Sequence, residues 1–117
     1  MSDAPYTWLE AFLWTLALEQ PVYILFLRGR FKSWWAPCLL CLAVNAATHP
    51  VVWDVLLEDP GAVLLMEAFA VVVEGLLALL AIRLAEKRWA PGAAFGAALA
   101  ANAFSYLVGP ALIQAVR

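Results

Sequence analysis

The stretch GAVLLMEAFAVVVEGLLALLAIRL at residues 61–84 decides the fold. It is longer than the roughly 20 residues a helix needs to cross a hydrocarbon core about 30 Å thick. Before Arg83 its only charged residues are Glu67 and Glu74, seven positions apart and thus on one helical face. Working outward, three comparable apolar runs appear at 8–27, 34–53 and 90–116, divided by short polar separators at 28–33, 54–60 and 85–89. Connections of that length join antiparallel neighbours. The expectation is an all-α polytopic membrane protein, a single four-helix domain over residues 1–117. Composition agrees: 66% of the chain is apolar and 14% charged, against about half and a quarter in a soluble domain.

The formal net charge of -2 is small and mixed, which argues against a nucleic-acid partner and leaves the lipid bilayer as the expected surroundings. The N-terminus carries Asp3 and no basic residue before the first apolar run, so a cleaved signal peptide is not expected. Arg28, Arg30 and Lys32 follow the first run, and Arg83, Lys87 and Arg88 follow the third. Asp3, Glu10, Asp54, Glu58 and Asp59 fall at the opposite ends. Because basic residues are retained on the cytoplasmic side, both termini are expected outside the cytoplasm, in a membrane of the bacterial inner type. Trp8, Trp34, Trp35, Trp53 and Trp89 stand at segment ends, where interfacial anchors occur.

The chain also resembles itself. Glu19 is followed nine residues later by Arg28, as Glu74 is by Arg83. Trp35-Ala36-Pro37 recurs as Trp89-Ala90-Pro91, and Asn45-Ala46-Ala47-Thr48-His49 as Asn102-Ala103-Phe104-Ser105-Tyr106. The landmarks keep their order at offsets of 55, 54 and 57 positions. Each half would hold two crossings, so the halves would share one orientation, as in a parallel repeat about the membrane normal.

Glu19 and Glu74 each lie roughly 13 Å inward from the basic end of their helix at 1.5 Å per residue, near the bilayer midplane. A carboxylate facing lipid costs several kcal/mol, so both are expected to point inward, pair, or line a wet cavity. Asn45, Thr48 and His49 share one helical face, and Asn102, Ser105 and Tyr106 repeat that stripe. Glu67 sits roughly 10 Å outward of Glu74, and His49 is displaced from Asn45 in the same direction. Two pairs of Glu and Asn are therefore expected at the centre, with Glu67 and His49 forming an outer station. Carboxyls at this depth can take up and release a proton or exchange it for a cation. The plainer alternative is that these groups only tie helices together by hydrogen bonds.

Other signals are weaker. Pro21 and Pro50 each remove a helical donor, and the freed carbonyls can serve a cation or merely mark kinks. Cys38 and Cys41 form a C-x-x-C that can hold a soft metal or act as a redox pair, although cysteine is also an ordinary small apolar residue in such a helix. His49 with Glu19, Glu67 or Glu74 has ligand types that zinc accepts, but H-E-x-x-H is absent. No nucleophile elbow, P-loop or dinucleotide motif occurs, and neither an enzymatic activity nor a resident cofactor is expected. Gly92 and Gly96 form a G-x-x-x-G of the kind that lets helices approach closely, here within the chain or against another copy in a homo-oligomer.

In carrying Glu19 in the first of four helices, the chain resembles the small multidrug resistance transporters, which exchange protons for cations at such a glutamate. The likeness covers Glu19 alone, because Asn45 to Pro50, Glu67 and Glu74 have no counterpart there. The expected function is a small transporter or channel for protons, a metal cation or a small cationic solute. Glu19 and Glu74 are its expected sites, Asn45, Thr48, Asn102, Ser105 and Tyr106 its polar support, and Glu67 with His49 its outer gate. The competing expectation is an accessory subunit of a larger membrane complex.

Overall fold

The computed structural model describes residues 7–116; Asp3, which enters the charge pattern, lies outside the described residues. Helix α1 spans Trp8–Leu27, α2 Ala36–Glu58, α3 Val63–Glu86 and α4 Pro91–Val116, with one 3-10 turn at Pro60–Ala62. All four helices are long and apolar enough to cross a membrane.

The helix ends follow from local chemistry. Thr7 and Glu10 cap α1 reciprocally: the Glu10 amide donates to the Thr7 hydroxyl and the Thr7 amide to the Glu10 carboxylate, both at 3.2 Å. Pro37 in the first turn of α2 and Pro91 at the start of α4 occupy positions where a missing N–H costs nothing. Helix α2 continues past the apolar run that ends at Trp53, because Asp54-Val55-Leu56-Leu57-Glu58 contains no helix breaker; it stops at Asp59, before Pro60. Helix α3 closes on Lys87, whose backbone is left-handed at φ 61°. The prolines at 21, 50 and 110 lie inside helices that run on without a break.

The helices form a ring in which α1 packs on α2 and α4, and α3 packs on α2 and α4. Short connections make ring neighbours antiparallel, so the basic segments after α1 and α3 lie at one end of the bundle. The start of α1, the end of α4 and the acidic α2–α3 turn lie at the other.

The exposed surface is far more apolar than that of a soluble protein, and several polar groups are buried. Glu19, Asn45, Thr48, His49, Glu74 and Asn102 are buried, whereas Leu25, Leu64, Leu65, Leu99 and Leu107 are exposed. A surface this apolar, with ionisable groups set among the buried residues, suits hydrocarbon better than water by composition.

The two ends of the bundle are also built differently. Toward the basic end, Tyr23, Leu27, Val44, Ala78 and Ile82 pack with Ala94, Ala97 and Ala101 into a dense core with no exposed surface. The stripe of alanines on α4 makes this possible by letting the neighbouring helices approach closely. Gly75 has the same effect on α3, where a Cβ would fall inside the ring of Phe95 on α4. Toward the end that holds the start of α1 and the end of α4, the helices enclose a cavity of about 530 Å³.

Candidate functional site

The floor of the cavity is formed by Glu19 from α1 and Glu74 from α3, each only 1% exposed. Asn45 on α2 donates from Nδ2 to the Cys41 carbonyl at 2.9 Å and to Glu19 Oε1 at 3.1 Å. Asn102 on α4 does the same, donating to the Ala98 carbonyl at 2.8 Å and to Glu74 Oε1 at 3.0 Å. Each asparagine thus uses both amide hydrogens, one to anchor itself to its own helix and one to hold a carboxyl.

The second oxygen of each carboxyl meets a hydroxyl from the other helical hairpin. Thr48 Oγ1 lies 2.7 Å from Glu74 Oε2 and 3.0 Å from the Val44 carbonyl. Ser105 Oγ lies 2.8 Å from Glu19 Oε2 and 3.2 Å from the Asn102 carbonyl. A hydroxyl has a single hydrogen, so it cannot donate to both acceptors at once. When it donates to the helix carbonyl, the carboxyl must supply the other hydrogen and be protonated. When it donates to the carboxylate, that group is ionised and the helix carbonyl keeps only its helical partner. Both protonation states are therefore satisfied by turning one hydroxyl, with no movement of the backbone.

Tyr23 breaks the correspondence between the two hairpins. Fully buried on α1, it reaches across the ring and donates to Glu74 Oε1 at 2.9 Å. Glu74 thus receives three side-chain donors and Glu19 two. Position 78, which stands four residues after Glu74 as 23 stands after Glu19, holds an alanine that makes room for the tyrosine. Sequence reasoning missed Tyr23; the signal was its i+4 spacing from Glu19, which places both on one face.

His49 and Glu67 both line the cavity, but no hydrogen bond or ion pair joins them among the described residues. The His49 ring is instead enclosed by Trp8, Phe12 and Trp53, with ring centroids 5.2, 5.3 and 6.1 Å away. Its Nε2 is buried without a hydrogen-bond partner. The outer station expected from the sequence is therefore two separate groups, because the aromatic side chains around His49 hold its ring to their side of the wall. Trp8 and Trp53, expected as interfacial anchors, thus pack against His49. Glu67 is half-buried and has no hydrogen-bond partner among the described residues. Tyr106 stays exposed, at the border between the cavity and an apolar outer groove between α3 and α4, and makes no bond to either floor carboxyl.

The remaining candidates fall elsewhere. Cys38 and Cys41 are free thiols toward the basic end, beyond the carboxyl layer from His49 and Glu67. Among the described residues no three His, Cys, Asp or Glu side chains gather closely enough to hold a metal ion. His49, Glu19, Glu67 and Glu74, the ligand types expected for zinc, line the cavity without forming such a group, and Cys38 and Cys41 lie apart from them toward the basic end. Gly96 packs against Phe26 within the chain, while Gly92 faces open space.

No protein-family model matches the chain, and no curated protein or solved structure matches it either. The resemblance to the small multidrug resistance transporters therefore remains confined to Glu19.

Proposed function

We propose that this protein is a small integral membrane transporter in which Glu19 and Glu74 bind and release protons in exchange for a cation that enters through the cavity. The observation that carries this reading is the pair of buried carboxyls at the floor of a one-sided cavity, each held by donors that satisfy it with or without its proton. Ionisable groups at such depth are functional by default, since placing them there is expensive. Equivalent residues from the two hairpins make equivalent bonds, which supports a duplicated hairpin as the origin of the site. The charge pattern supports an outward-facing cavity in an inner membrane of bacterial type, with both termini on the cavity side. On that reading the alanine-packed end closes the path to the cytoplasm, and transport requires the two hairpins to rock until that end opens.

The test is proton flux into proteoliposomes under an imposed pH gradient, with and without cations. Wild type conducts, and Glu19→Gln and Glu74→Gln abolish flux while remaining folded and inserted. Equal flux in wild type and both variants, or no flux above empty vesicles from correctly inserted protein, overturns the proposal. Exposed Gly92 leaves room for close approach by a second copy or a larger complex. Recovery of a stoichiometric membrane partner with no flux would favour the accessory-subunit reading.

A further inference from the structure

Resting on the reading of the cavity as a cation site, its shape and chemistry identify a class of ligand. The cavity is lined by three carboxyls, those of Glu19, Glu67 and Glu74, and by no lysine or arginine. Its volume of about 530 Å³ falls within the range of about 300–1,000 Å³ typical of organic ligands. A bare metal ion would leave most of it empty and would find no three-ligand cluster among the described residues.

The carboxyls form two poles. Glu19 and Glu74 share the floor, and Glu67 stands about 10 Å nearer the mouth, two helical turns along α3. Glu67 receives no hydrogen bond from the described residues, and Glu19 receives only two against about four lone-pair sites. The rest of the wall is largely apolar and aromatic, with Leu18, Val52, Trp14 and Trp53. Partway up lies His49, nine-tenths buried, with Nε2 unpartnered. A buried polar atom without a protein partner calls for a water, an ion or a ligand atom. A single ammonium would satisfy one pole and leave the other unpaired.

We propose that the cavity binds a linear aliphatic diamine or polyamine, with one ammonium between the floor carboxyls and a second at Glu67. The methylene chain lies along Trp14 and Trp53, whose faces also favour cationic nitrogen. In a longer polyamine an internal amine reaches the level of His49.

The test is binding to the purified full-length chain in lipid nanodiscs, followed by calorimetry and by quenching of tryptophan fluorescence. The probes are unbranched diaminoalkanes of increasing length, spermidine, octylamine, tetraethylammonium and zinc ion. Affinity rises with diamine length to an optimum where the nitrogens span about 10 Å, and the best diamine outcompetes octylamine, tetraethylammonium and zinc. Glu67→Gln, at a position whose carboxyl holds no other residue, weakens the best diamine about tenfold, the worth of one charge-assisted hydrogen bond. It leaves octylamine unchanged. Affinity independent of diamine length, equal loss for octylamine and diamine in Glu67→Gln, or a preference for zinc overturns the assignment. Length-dependent binding without flux in vesicles supports the ligand and refutes transport. Proton flux without diamine binding does the reverse.

Discussion

Thr48 and Ser105 have one hydrogen each, and that single hydrogen sets what their carboxyl partners tolerate. Glutamine can replace a protonated glutamate at either position. In Glu74→Gln the side-chain carbonyl keeps the Tyr23 and Asn102 donors, while the new amide donates to Thr48 Oγ1, which in turn donates to the Val44 carbonyl. Glu19→Gln works in the same way through Asn45 and Ser105. Both glutamine variants are expected to keep a stability within about 1 kcal/mol of wild type, because every former partner of the carboxyl remains bonded and both positions border the cavity, where the second amide hydrogen meets water. Thr48→Val, by contrast, removes the only described partner of Glu74 Oε2 and is expected to destabilise by about 1–3 kcal/mol. Thermal unfolding in detergent, followed by helical circular dichroism, separates the two classes. Loss of fold in the glutamine variants would show that the hydroxyls cannot turn as described.

At the scale of helices, the contact between α3 and α4 depends on Gly75 receiving the Phe95 ring. In Gly75→Ala the new methyl must displace that ring and part the helices, with an expected cost of about 1–3 kcal/mol. Phe95→Leu should recover part of that loss, and a double-mutant cycle measures the coupling. If Gly75→Ala is neutral alone, the close approach carries no energy. The end of α3 offers the opposite sign. Lys87 is left-handed at φ 61°, a conformation that costs a side-chain-bearing residue about 1 kcal/mol and glycine nothing. Lys87→Gly is expected to raise stability by up to about 1 kcal/mol in the same unfolding assay.

For the molecule as a whole, the division into a dense end and an open end predicts one-sided access to the site. In a background lacking Cys38 and Cys41, single cysteines at Thr15 or Ala70, which line the cavity, should react with a water-soluble, membrane-impermeant thiol reagent. Cysteines at Ala78 or Ala97, in the packed core, should not. Adding reagent from one side of sealed vesicles also reads the orientation, since labelling from the side of the termini alone matches the charge pattern. Labelling at Ala97 to the same extent as at Ala70 would mean that the packed end is open to water.

How much was legible in the sequence depends on range. Four helices of membrane-spanning length could be read directly, because hydrophobic length and short polar separators are local properties that the bilayer thickness converts into crossings. The inward placement of Glu19, Glu74, Asn45 and Asn102 could be read too, since an ionisable or amide group at that depth has few places to go. Which asparagine and which hydroxyl meet which carboxyl was decided by the order of helices around the ring, a long-range property absent from any single segment. The reach of Tyr23 to Glu74, the enclosure of His49 by Trp8, Phe12 and Trp53, and the exposure of Tyr106 had the same origin. So did the one-sided cavity: the alanine stripe of α4 and Gly75 are unremarkable as letters, and only their meeting with Tyr23 and Phe95 closes one end of the bundle and leaves the other open.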